Sequence, residues 1–74
     1  MTLDSLNKGD SAVIKNVNAP QALKARLTSF GINKGANITL QEVTLAKNTM
    51  EISVNKTKVA LRISEAQNIE VEAQ

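Results

Sequence analysis

Leu23-Lys24-Ala25-Arg26-Leu27-Thr28-Ser29-Phe30-Gly31-Ile32-Asn33-Lys34-Gly35 reads as a short helix, a glycine stop, a second glycine turn and the approach to a strand. Leu23, Leu27 and Phe30 recur at helical spacing and define one apolar face, which makes all three expected core residues. Gly31 stands where a left-handed residue ends a helix, and Ile32 is placed to pack back on Leu27, as a Schellman ending prefers. Gly35 supplies the turn in Asn33-Lys34-Gly35. At the other end, Asn18-Ala19-Pro20 is a helix start, with Asn18 or Ala19 as N-cap and Pro20 in the first turn. Leu23, Leu27, Phe30, Gly31, Ile32 and Gly35 are thus assigned structural work.

On both sides of this helix the chain reads as short strands. Leu3 to Leu6 opens the sequence and Lys8-Gly9-Asp10 is a turn. Ser11 to Val17 follows, with apolar side chains on both faces, so a central or wrapped strand is expected. From Asn37 to Leu45, Ile38 and Leu40 alternate cleanly, and then Val43 and Leu45 switch phase. Such a switch predicts a bulge or sharp bend after Leu40, the device that closes small barrels. Met50, Ile52 and Val54 form the next inward set, and Asn55-Lys56-Thr57 turns into Lys58 to Ile63, where Val59, Leu61 and Ile63 face inward. Ser64-Glu65-Ala66-Gln67 has the form of a capping box and predicts one helical turn, before Ile69 and Val71 close the chain as a last strand. The layout predicts a mainly β fold, a small, partly open, five-stranded SH3-like barrel. One helix lies between strands 1 and 2, and a short helical turn precedes strand 5.

Seventy-four residues suit one domain, 1–74, near the lower limit for independent folding. The chain has no Cys and no His, so neither a disulfide nor a nitrogen- or sulfur-rich metal site can staple it. Phe30 is its one aromatic residue, which makes an otherwise aliphatic core necessary. Nine basic and seven acidic residues leave a net charge of +2, a weak signal for nucleic acid. Apolar runs stop at three residues, against about 20 for a membrane span and about 7–15 for the core of a signal peptide. A cytoplasmic location is expected.

The ordered motifs resemble the FeoA family, small cytoplasmic partner proteins of bacterial ferrous iron uptake. The resemblance rests on Leu6-Asn7-Lys8-Gly9-Asp10-Ser11-Ala12-Val13 and on Leu23 through Gly35, with its Arg26-Leu27-x-x-Phe30-Gly31 centre. Val59-Ala60-Leu61-Arg62 with Ser64-Glu65-Ala66, and the closing Ile69-Glu70-Val71-Glu72, complete it. Leu45-Ala46-Lys47-Asn48-Thr49 departs from the proline- and glycine-containing loop typical of the family, and Lys34 stands where a proline is often found. The resemblance implies an SH3-like barrel with an inserted helix, similar to the C-terminal domain of DtxR-type repressors. It also implies a role beside FeoB, a membrane transporter whose cytoplasmic domain binds GTP.

The residue inventory limits the chemistry. No Cys or His is present for nucleophilic catalysis, and no glycine-rich phosphate loop precedes a helix, so no catalytic residue and no cofactor site are assigned. Divalent transition metals held tightly usually need nitrogen or sulfur ligands, and Glu70 and Glu72, sharing a strand face, read as solvated surface; no metal ligand is assigned. Nucleic-acid binding by a small barrel wants aromatic stacking platforms, which this sequence lacks. The remaining expectation is a non-catalytic adapter that binds the cytoplasmic part of FeoB and meets the membrane only through it. Lys24, Arg26, Asn33 and Lys34 are the expected contact residues, and an open barrel edge leaves room for weak self-association. The alternative is a stand-alone repressor-type domain, binding transition metal weakly or joining a transcriptional complex.

Overall fold

Period-two alternation of apolar side chains builds a single antiparallel sheet, and one buried leucine fastens a helix to it. The computed structural model describes all 74 residues, Met1–Gln74. A 3-10 turn at Leu3–Ser5 leads into β1 (Ser11–Val17), α1 (Gln21–Ser29) and β2 (Asn37–Thr44). After a second 3-10 turn at Leu45–Lys47 come β3 (Thr49–Val54), β4 (Thr57–Arg62), the single turn α2 (Ile63–Ala66) and β5 (Ile69–Ala73). The strands lie in the order β4-β3-β2-β1-β5, so the sheet curls without β4 and β5 pairing, a partly open barrel as expected.

All 17 buried residues are apolar and none is aromatic. Met50, Ile52 and Val54 from β3 meet Val59 and Leu61 from β4 and Ile38 and Leu40 from β2 in one core cluster. Ala12, Ile14, Ile69 and Val71 join it from the other end of the sheet. The phase change in β2 is a register shift between Leu40 and Glu42 against β3, which bends the strand where the sequence switches faces. A second shift, between Ile14 and Asn16, kinks β1 against β5.

The exit of α1 is the Schellman arrangement. Gly31 adopts φ 87°, its N–H donates to the Thr28 carbonyl at 3.0 Å, and the Ile32 N–H donates to the Leu27 carbonyl at 3.0 Å. Leu27 and Ile32 are both fully buried, as the spacing predicts. Gly35, at φ 90°, hands its N–H to the Ile14 carbonyl at 2.7 Å and so pins the turn to β1.

Several expectations need correction. Phe30 is not a core residue: it is the C-cap, one step past the last helical residue, and is 42% exposed. Ile32, delivered by the left-handed Gly31, fills the space that helical spacing had assigned to Phe30. Leu23 is only half-buried, and Pro20, rather than Asn18 or Ala19, is the N-cap. Leu45 lies in the 3-10 turn and is 79% exposed, so β2 stops at Thr44. Ile63 belongs to α2 rather than β4 and is half-buried. The N-cap of α2 is Arg62 and not Ser64; Glu65, three residues on, accepts the Arg62 N–H at 2.9 Å.

Leu27→Ala should lower stability by about 2–5 kcal/mol in urea unfolding, because the side chain is fully enclosed. Gly31→Val should lower the melting temperature markedly. A side chain at φ 87° is strained, and its Cβ would lie 3.3 Å from Asn55 Nδ2. An unchanged melting temperature would disprove this helix exit.

Candidate functional site

The surface feature that stands out is a cleft of about 280 Å³ between the C-terminal half of α1, the end of β4 and α2. Arg26 lines it from α1, Phe30 from the C-cap of that helix, Ala60, Leu61 and Arg62 from β4, and Glu65 from α2. Local chemistry sets each position. Arg26 and Phe30 are four apart and share one side of α1, while Leu27 on another side holds the helix to the core. Ala60 and Arg62 alternate with the buried Val59 and Leu61, so they sit on the outer face of β4.

Glu65 ties the cleft together. Its Oε2 accepts from Arg26 Nη2 at 2.6 Å, and its Oε1 accepts from the Arg62 N–H at 2.9 Å. The carboxylate is largely shielded, with 15% of its side chain accessible, whereas the Arg26 side chain is 51% accessible. Such a pair gains more than a fully solvated one yet stays near the modest range of partly exposed ion pairs. The Arg62 side chain enters no ion pair and is exposed. The cleft thus offers an aromatic ring together with one arginine already engaged and one without an ion pair.

The sequence-derived contact residues do not converge on one place. Arg26 is in the cleft, Lys24 is exposed elsewhere on α1 without an ion pair, and Asn33 and Lys34 are exposed in the connection beyond Gly31. Phe30 as a surface residue, Arg62 and Glu65 escaped the sequence reading as parts of a site. The Arg62 to Glu65 interval, an N-cap to N3 spacing, was the available signal.

The acidic residues do not gather. No three His, Cys, Asp or Glu side chains come together, and Glu72 pairs with Lys15 at 3.1 Å while Glu70 is exposed. These residues fit neither zinc nor a resident transition metal.

Residues 1–73 match the model of the FeoA domain. The chain belongs to the FeoA family. A protein named Fe(2+) transport protein A from Campylobacter jejuni is 41% identical over 71 residues, 96% of each chain. The crystal structure of Stenotrophomonas maltophilia FeoA complexed with zinc superimposes with a TM-score of 0.84 at 33% identity, covering 97% of this chain and 89% of that one. A manganese-dependent transcriptional repressor gives a TM-score of 0.92 over 99% of this chain and 40% of its own, but at 18% identity it shares the fold alone. FeoA-type proteins partner FeoB, and this FeoA-family chain is a non-catalytic accessory protein of that type. No helix in it is long and apolar enough to cross a membrane.

Glu65→Ala removes both the α2 cap and the tie to α1, and should cost about 1–2 kcal/mol in urea unfolding. Phe30→Ala, at a half-exposed position, should cost about 1 kcal/mol, well below Leu27→Ala. Equal losses for Phe30→Ala and Leu27→Ala would mean that the ring is core after all.

Proposed function

We propose that this chain assists ferrous iron uptake from the cytoplasmic side by binding the cytoplasmic part of FeoB, without holding iron itself. The observation that carries the reading is the exposed aromatic ring that lines one cleft with Arg26 and Arg62, in a chain whose residues 1–73 match FeoA. An exposed ring flanked by guanidinium groups is the residue chemistry that concentrates binding energy at protein interfaces. Iron is the cargo of the system here, and the dispersed carboxylates give it no place to rest on this chain. The relatives' names, among them Fe(2+) transport protein A, support the process, and the cleft supports the mode of action.

Arg26 takes part from within the cleft, while Lys24, Asn33 and Lys34 lie outside it as peripheral contacts. Lys24 and Lys34 carry charge with no acidic neighbour in contact, so they would steer an acidic partner toward the cleft more than they would tighten the final complex. The double variant Lys24→Glu, Lys34→Glu should therefore slow association about tenfold at low salt while leaving dissociation nearly unchanged.

The deciding experiment is an amide chemical-shift titration of the labelled chain with the cytoplasmic domain of FeoB from the same organism, and separately with anaerobic ferrous iron. Shifts grouped around α1, the Asn33–Lys34 connection and the end of β4 are expected with the protein and none with the ion. Silence with both the FeoB domain and full-length FeoB in detergent would end the adapter reading. Saturable shifts with iron alone would restore a metal-binding role.

A further inference from the structure

The two edges of the sheet are treated differently. On the outer side of β5, the Val71 N–H donates to the Met1 carbonyl at 2.8 Å and Thr2 forms a bridge with Glu70, so the opening residues cover that edge. No strand lies beyond β4. Its hairpin with β3 closes through Asn55 and Lys56, both left-handed at φ 50° and 69°, which makes Val54 and Thr57 the hydrogen-bonded pair flanking a two-residue turn. Bonded pairs alternate along an antiparallel ladder, so Val59 and Leu61 bond to β3, and Lys58, Ala60 and Arg62 turn their N–H and C=O outward. The Arg62 N–H fits this phase, because it is taken by Glu65. No bond outside the ladder engages the N–H or C=O of Lys58 or Ala60. Four main-chain groups are left facing solvent along this edge, beside the cleft.

We infer that the outer edge of β4 is a strand-addition site for an extended segment of a partner protein with an acidic–x–apolar–x–acidic pattern. It rests on the reading of this chain as a partner-binding protein. Main-chain groups of Lys58 and Ala60 give the segment its hydrogen bonds, and the side chains give it register. A residue directly opposite Ala60 lies on the outer face next to Phe30, where the small Ala60 side chain leaves the cleft open for an apolar group. Residues two positions to either side lie opposite Lys58 and Arg62, both exposed, Arg62 unpaired and Lys58 only 3.9 Å from Glu51. Opposite charge is what those positions select.

A second copy is the poorer occupant. Two β4 strands paired antiparallel about Ala60 would set Lys58 against Arg62 twice, and like charges directly opposite are destabilising. The acidic β5 of another copy has its outer edge covered by Met1 and Thr2.

The test uses the labelled full chain and the synthetic peptide acetyl-Ser-Glu-Val-Leu-Thr-Glu-Ser-amide, with no FeoB present, so its outcome is independent of that partner's identity. Saturable shifts are expected at Lys58 to Arg62 and Phe30, and amide exchange at Lys58 and Ala60 should slow at least about tenfold at saturation. Ala60→Pro removes an outward donor without cutting the β3 ladder and should abolish binding while the spectrum stays folded. The double variant Lys58→Glu, Arg62→Glu should weaken binding at least about tenfold, with recovery by the peptide whose glutamates are replaced by lysine. Absence of binding, or binding without protection of the Lys58 and Ala60 amides, overturns strand addition. So does unchanged binding when the peptide leucine is replaced by serine together with the same shifts from inorganic phosphate, which would make the arginines a plain anion site. A concentration-dependent dimer that protects the same amides without peptide would give the edge to a second copy and overturn the proposal too.

Discussion

Leu27 is the one fully buried side chain of α1, so the attachment of a nine-residue helix depends on that leucine, on the half-buried Leu23 packed beside the core and on what happens at the helix ends. At the C-terminal end, Gly31 reverses the chain and brings Ile32 into the same core that holds Leu27. Immediately before Leu27, Arg26 reaches Glu65 and draws the helix toward α2. These are three different interactions, packing, backbone reversal and ion pairing, on two successive turns of chain. With so little burial along the rest of α1, the remaining side chains are free to serve the surface, and that is why an aromatic residue can stand there. In a chain with only one aromatic, its exposure costs apolar burial that a small domain can ill spare. An all-aliphatic core makes the arrangement tolerable, since Leu, Ile, Val and Met fill the interior without a ring to orient.

Much of the fold was legible because the barrel obeys local rules. The alternation in β3, the phase switch after Leu40 and the glycine at the helix exit are each signals within a few residues and appear where their rules place them. The single turn before β5 appears too, but it is capped by Arg62, two residues earlier than Ser64. The errors also share a cause. Helical spacing put Phe30 on the face of Leu23 and Leu27, but the rule has no knowledge that the helix ends at Ser29. Once the chain turns through Gly31, Ile32 occupies the interior and the ring is displaced outward. Leu45 failed in the same way, when a strand pattern was extended one residue past the turn that ends it. The cleft was hardly legible at all. Arg26, Phe30, Ala60, Arg62 and Glu65 come from three elements separated by up to 39 positions, and only the tertiary approach of α1 to β4 unites them. Among the sequence-derived contact residues only Arg26 is in the cleft, because exposed charge on a helix says where water is and not where a partner is.

A free sheet edge is a hazard that small β domains usually suppress, and here the two edges follow different solutions. The β5 edge is closed from within by the first two residues of the chain, which spend their own main-chain bonds on it. The β4 edge is instead left with Lys58 and Arg62 on its outer face. Charges of one sign on an edge oppose pairing with an identical edge, and that alone would explain them as protection against self-association. Protection does not explain the rest. Glu65 is turned inward to Arg26 and to the Arg62 main chain and leaves the Arg62 side chain without an ion pair, while Lys58 meets Glu51 only loosely, at 3.9 Å. Ala60, the smallest side chain that still marks the face, lies between the two cations and opens directly onto Phe30. A purely defensive edge gains nothing from a hollow at its centre with an exposed ring on its wall. Charge that repels a copy, a hollow that accepts an apolar side chain and main-chain groups left unpaired together describe an edge that is selective rather than closed.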